Sequence, residues 1–256
     1  MILAANESYQ HAERDIELLT GIKVGHSSQH RYVQQQSIAE PSVNRRVSAL
    51  SIDGGKVRLR TEQKGASEWR DYKAVSLHQS KCAAFFQDND KLIDWTNRQP
   101  LSKVVTCLGD GHDGVWNLIS QIGEPYQRRE ILDWFHLKEN LYKVGGSNNR
   151  LKQVESLLWQ GLLADARLEL VGANQDEVSR FCTYVNKHHQ RIPDYGLYKE
   201  LGICIGSGSV ESAIKQIGMR IKLSGAQWNR NNVSQILKLR CAYLNGDIQI
   251  GIPTHA

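Results

Sequence analysis

Three carboxylates stand where this chain could carry out metal chemistry. Asp53 follows a short apolar run in "LSIDGGKVRLR". Asp110 closes the apolar run of "SKVVTCLGDG", and Glu211 comes just after the glycine-serine loop in "GSGSVES". Carboxylates held close together repel one another and rise in pKa unless a cation joins them. Magnesium suits such a set, because it takes a few carboxylates and fills its remaining positions with water and phosphate oxygens. Two such ions about 4 Å apart activate a nucleophile and stabilise the leaving oxygen in phosphodiester chemistry. The adjoining glycines allow close approach of a phosphate backbone. Asp113 competes with Asp110 for the second position; Asp110 is preferred because it directly follows the apolar run, whereas Asp113 lies in the turn beyond it. Each acid also has a plain structural reading. Asp53 in "DGG" suits a turn, Asp110 a helix N-cap, and Glu211 a first-turn position favoured by the helix dipole.

The elements that must position these residues follow from periodicity. Residues 7–19 have helical spacing, broken at Thr20-Gly21, and "IKVGHSSQHRYVQQQ" predicts a turn and a second helix capped by Ser27 or Ser28. Two short helices around a glycine turn make a helix-turn-helix-like hairpin or an ordinary helical hairpin, and the polar "AEPSVNRR" reads as a linker. The pattern then changes to period two. "RVSALSID" predicts a first strand that ends at Asp53, "KVRLRTE" a second and "WRDYKAVSLHQ" a third. "DNDKLIDWTNRQP" is a helix or loop, "SKVVTCLGDG" a central strand, "DGVWNLISQIG" a short helix ended by Gly123, and "RREILDWFHL" a strand that runs on into helix. A helical block follows, with Leu151, Val154, Leu157, Leu158 and Leu162 at helical spacing. "GICIGSGSVESAIKQIGMRIK" then passes from loop to helix, and "NNVSQILKLRCAYLNGD" is the last helix. Strands in a run that then alternate with helices predict an α/β fold, a mixed sheet covered by helices.

Composition narrows the partners. Of 256 residues 40% are apolar, enough for a real core, and the net charge of +5 is compatible with a nucleic-acid partner. The five cysteines are odd in number and form no C-x-x-C pair, which argues against a disulfide framework or a cysteine zinc site and fits a reducing cytoplasm. The N-terminus does not read as a signal peptide, and no apolar run approaches the roughly 18 residues of a membrane span.

Taken together, "SIDGGKVRLRT", "WRDYKAVSLH", "LGDGHDGVWNLI", "DWFHLKENL", "GSGSVESAIKQIGMRIK" and "LKLRCAYLNGD" resemble a bacterial insertion-sequence transposase of the Kra-type family, among the DDE transposases of ribonuclease-H-like fold. The resemblance covers roughly residues 7–247. It implies a small N-terminal hairpin and linker over residues 1–40 and a catalytic domain over 45–256. That domain would hold an all-α insertion at about 137–200, before the last catalytic helix. The implied activity is magnesium-dependent cleavage and strand transfer of DNA at element ends, with manganese able to substitute. The acidic triad falls on Asp53, Asp110 and Glu211, which would be the metal ligands. The motif "DWFH" adds Asp133 and His136; the resemblance assigns His136 to a scissile phosphate or a flipped base and Asp133 to orienting its ring.

Under this resemblance the basic residues have a use. Lys56, Arg58 and Arg60 alternate along the second expected strand, and Lys215, Arg220 and Lys222 follow Glu211, so all could neutralise phosphates; Trp228 could stack on a base or sit at the edge of the core. The implied partners are DNA, as element ends and target, and further copies of the chain assembled on it. Family members usually carry a longer N-terminal region than the one seen here, so the expectation includes a truncated copy whose recognition of terminal repeats is impaired. A related nuclease that cleaves without joining, or a non-catalytic DNA-binding remnant, are the competing readings.

Overall fold

The computed structural model describes residues 1–61, 67–172 and 175–248. Glu62, the last residue of the second expected strand, lies outside them. Among the described residues twelve α-helices and five strands follow one another. The chain begins with α1 (Ile2–Asn6), α2 (Tyr9–Thr20) and α3 (His26–Gln35), then passes through β1 (Val47–Leu59), β2 (Glu68–Leu77) and β3 (Cys82–Phe86). Next come α4 (Asn89–Asn97), β4 (Leu101–Gly109), α5 (Asp113–Ile119) and β5 (Arg128–Leu132). From there every element is helical: α6 (Trp134–Tyr142), α7 (Asn148–Trp159), α8 (Leu163–Glu169), α9 (Gln175–Lys187), α10 (Tyr195–Glu200), α11 (Gly208–Ile221) and α12 (Arg230–Leu244), with single 3₁₀ turns at Pro125–Gln127 and His189–Arg191.

The protein is α/β, with one mixed sheet flanked by helices. The strand order is β3-β2-β1-β4-β5; β1 runs parallel to β4 and β4 to β5, while β2 and β3 are antiparallel. The parallel pairs require crossovers, which α4 and α5 provide, whereas the antiparallel pair closes through a short turn. The contacts divide the chain into two compact units. One contains residues 1–46, 53–100 and 209–256, the other residues 47–52 and 101–208.

The first unit is built on alternation and helical periodicity meeting in one core. In the second half of β1, Val57 and Leu59 point inward between Lys56, Arg58 and Arg60. They join Tyr72 and Ala74 of β2 and Cys82 and Ala84 of β3. Val210, Ala213, Ile217 and Ile221 form the buried stripe of α11, and α12 contributes Val233, Ile236 and Leu237. Ala4, Ala5 and Val33 bring α1 and α3 into the same core. In the second unit the all-α segment closes around an aromatic cluster. The rings of Trp134, Trp159 and Tyr195 pack on one another, and the Tyr195 hydroxyl donates to the Leu132 carbonyl at the end of β5.

Several sequence expectations change. The two strands expected on either side of "DGG" are one, the 13-residue β1, so Asp53 sits within a strand rather than at its end or in a turn. Neither Gly54 nor Gly55 has positive φ. Gly55 is required for a different reason: a Cβ there would lie 2.3 Å from the Tyr72 ring. The short strand β3, "CAAFF", was not expected, because five consecutive apolar residues carry no alternation. Helix α3 is capped at Gly25 rather than at Ser27 or Ser28. The helical run from Leu151 to Leu162 is interrupted at Gly161, whose φ is +73°, so it yields α7 and α8. All five cysteines are free. Among the described residues no helix is long and apolar enough to cross a membrane.

Candidate functional site

In the second unit, two aspartates follow directly from the ends of adjacent parallel strands. Gly109 and Leu132 are register partners, and the next residues are Asp110 and Asp133. The Asp133 amide donates to the Gly109 carbonyl (2.9 Å), fixing the two strand ends to each other. Asp110 Oδ1 accepts from the His112 amide (2.9 Å), and Gly111 follows with φ of +97°. A side chain at Gly111 would meet the Tyr184 ring, whose hydroxyl donates to the Asp110 carbonyl (3.3 Å), so glycine and tyrosine together shape this turn. Burial raises the Tyr184 phenol pKa, and the charges of Asp110 and Asp133 raise it further.

Asp133 is wholly buried and uses both carboxylate oxygens. Oδ1 accepts from the His136 amide (2.8 Å) as the N-cap of α6, and Oδ2 accepts from the Ser207 amide. Burial alone would raise its pKa, but the hydrogen bonds from His136 and Ser207 outweigh it and hold the carboxyl below its usual value. The His136 Nδ1 lies 3.3 Å from Asp133 Oδ1, within ion-pair distance should the ring be protonated. Its full engagement makes Asp133 a positioning residue. Asp113 lies in the first turn of α5, exposed and paired with Lys187, whose hydrogen bond lowers its pKa. That pairing leaves Asp110 as the better-placed acid of the two.

In the first unit, Asp53 is half-buried on β1, and its Oδ1 accepts from the Gly54 amide (2.6 Å). The Lys73 ammonium lies within 2.9 Å of the position a Cβ on Gly54 would take, which brings a cation to the same stretch of strand. Burial raises the Tyr72 phenol pKa, with Cys241 and Asp53 adding to the effect. Glu211 is half-buried in the first turn of α11. Lys215 follows it by four residues on the same face of the helix, Lys222 is the first residue past α11, and both lysines are exposed. On β1, Lys56 and Arg60 are exposed and Arg58 is half-buried, donating to the Ser67 hydroxyl (2.6 Å).

No family model matches the chain, and no curated protein matches it.

Two of the residues expected on a nucleic-acid-binding surface, Arg220 and Trp228, are buried instead. Arg220 is only 2% exposed, donates from Nε to the Ala4 carbonyl (2.7 Å) and lies between the rings of Tyr9 and Trp228. It belongs to the interior and not to the basic surface of α11. Trp228 is 7% exposed, its indole donates to the Ile221 carbonyl (3.0 Å), and its backbone exchanges hydrogen bonds with Arg58 and Arg60 of β1. It is a core residue that pins the loop after α11, which is the core-edge alternative read from the sequence. Tyr184, Ser207, Tyr72 and Lys73 were missed. Tyr184 and Ser207 act on Asp110 and Asp133 from 74 residues away in each case, with no local signal to link them. Tyr72 and Lys73 could have been suspected from two glycines inside an alternating strand, a pattern that marks close approach by a neighbour.

Proposed function

We propose that the chain is the catalytic core of a DNA transposase with a ribonuclease-H-like fold, which cleaves phosphodiesters at element ends and joins the resulting 3′-hydroxyl to target DNA. One observation carries the reading. Ser51, Leu108 and Ile131 form a single row across β1, β4 and β5, and on all three parallel strands the residue two positions further on is an aspartate: Asp53, Asp110 and Asp133. Asp110 and Asp133 stand just past the carboxyl ends of β4 and β5, where parallel strands gather their ligand-binding residues, while Asp53 lies within β1. Asp53 and Asp110, each two residues beyond a buried interior row, suit an oxygen-ligating cation better than packing, and Asp133 beside them holds the β5–α6 junction.

Asp53, Asp110 and Glu211 would hold magnesium, or manganese in its place; their carboxylate chemistry is the donor set these hard ions take. The ion would supply charge neutralisation and an activated oxygen nucleophile. The protein's own groups do the rest. Asp133 holds the His136 ring for a hydrogen bond to the scissile phosphate. Lys215, on the face of α11 that carries Glu211, and Lys222 just past the helix neutralise strand phosphates, as do Lys56 on β1 and Arg60 just past its end. Assembly of several copies on DNA follows from the need to hold two element ends.

The test is strand transfer in Mg²⁺ on DNA that carries the sequences flanking the gene. The unaltered protein joins pre-cut ends to target. Asp53→Ala abolishes joining while retaining most DNA affinity. Undiminished joining by that variant defeats the proposal. Cleavage without joining would point to a nuclease, and salt-sensitive binding with neither would point to a DNA-binding remnant.

A further inference from the structure

A pocket of about 470 Å³ opens in the first unit beneath the loop that follows α11. Its wall includes Tyr9, His30, Arg60, Arg220, Trp228 and Asn232. None of its fourteen lining residues is an aspartate or glutamate. The deepest group is Arg220, whose Nε is satisfied by the Ala4 carbonyl but whose Nη2 is enclosed without a hydrogen-bond partner. The Tyr9 phenol, on the same wall, is also enclosed and lies beside the Arg220 guanidinium, which sits 5.2 Å from its ring centre. Among the described residues no carboxylate forms an ion pair with Arg220; Tyr9 and, more weakly, Glu7 favour its charge, while its neighbour Arg240 opposes it. Burial lowers the Arg220 pKa to about 10, which leaves it charged at neutral pH, and burial raises the Tyr9 phenol pKa, which keeps it a neutral donor. An interior guanidinium with an idle N–H is expensive unless an anion completes its shell.

We propose that this pocket binds a phosphate group carried on a nucleotide unit, with Arg220 and Tyr9 donating from its floor and Arg60 closing on it from the rim of β1. Guanidinium forks match phosphate oxygens in geometry as well as charge. The site is built, not incidental: the Trp228 backbone is tied to Arg58 and Arg60 (3.0 and 2.8 Å), and the indole is tied to α11. The volume exceeds what a bare phosphate fills and lies within the range of small-ligand sites, so sugar and base have room beside it. The inference rests on the first unit alone and stands whether or not the carboxylates catalyse.

Calorimetry with dAMP in EDTA tests it, with inorganic phosphate as competitor. The full chain is expected to bind dAMP and to release it to phosphate. Arg60→Gln and Arg220→Lys should each weaken binding about tenfold or more, the loss expected for one charge-assisted hydrogen bond. Arg98→Gln, which removes a surface charge elsewhere, should leave binding unchanged. Thermal melts show whether Arg220→Lys still folds; if it does not, Arg60→Gln alone decides. A 5′-phosphorylated tetranucleotide that binds more tightly than dAMP identifies a strand end as the natural occupant, and equal affinity identifies a free nucleotide. No binding of either ligand, or binding undiminished in the folded variants, overturns the proposal. Because no metal is present, the outcome is independent of the strand-transfer test.

Discussion

Gly55 shows how one missing side chain can organise a site. The Tyr72 ring, 1% exposed, fills the space where a Cβ on Gly55 would stand, so β1 carries the acid Asp53 past a large aromatic without bending away. Gly55→Ala is expected to destabilise the protein by about 1–3 kcal/mol, because the buried ring has nowhere to retreat. Gly54→Ala should cost much less. Its nearest neighbour is the Lys73 ammonium, the free end of a flexible chain. Urea unfolding of the two variants checks this, and equal losses would show that backbone freedom, not the Tyr72 contact, sets the need for glycine. The same pair marks a boundary of sequence reading. Two consecutive glycines after an aspartate spell a turn by local rules, and only the long-range partner Tyr72 reveals that they belong to a strand.

At the scale of elements, the junction between β5 and α6 concentrates several constraints on Asp133. It caps α6, accepts from the Ser207 amide in the segment before α11 and lies 3.3 Å from the His136 Nδ1. Asp133→Ala removes the cap and orphans a buried amide, so a loss of about 2–4 kcal/mol is expected in urea unfolding. The pH dependence has a definite sign. The folded-state pKa lies below the unfolded one, so the carboxylate's contribution is fully present above the ordinary aspartate range near 4 and is lost as pH falls through the folded value. Asp133→Asn should therefore flatten the acid limb of the stability curve, and an unchanged limb would show that other carboxylates set it. This junction was legible in "RREILDWFHL", where a strand pattern stops at an aspartate and helical spacing begins. The β4 junction at Asp110 was legible for the same reason. Strand β3 was not, because "CAAFF" is buried at four of its five positions and a continuous apolar run has no period. The fate of Arg220 could have been read. It lies nine residues after Glu211, on the opposite face of α11 beside Ile217 and Ile221, and the packing of α1 and the Tyr9 and Trp228 rings encloses it there.

For the whole molecule, the α/β class and the mixed sheet followed from the order of strand and helix patterns, and the all-α stretch after β5 followed from its 3.6-residue spacing. Division of the chain into two interleaved units did not, since each unit is assembled from segments far apart in sequence. The acids expected at the site are shared between those units: Asp53 and Glu211 in one, Asp110 with its positioning partners Asp133 and His136 in the other. The central claim is that Asp53, Asp110 and Glu211 jointly hold divalent metal, and counting bound Mn²⁺ by electron paramagnetic resonance tests it without any knowledge of the DNA substrate. The unaltered protein is expected to bind Mn²⁺, to lose it to excess Mg²⁺, and to bind far more weakly as Asp53→Asn, Asp110→Asn or Glu211→Gln. Mn²⁺ affinity that is the same in all three folded variants as in the unaltered protein would contradict the account.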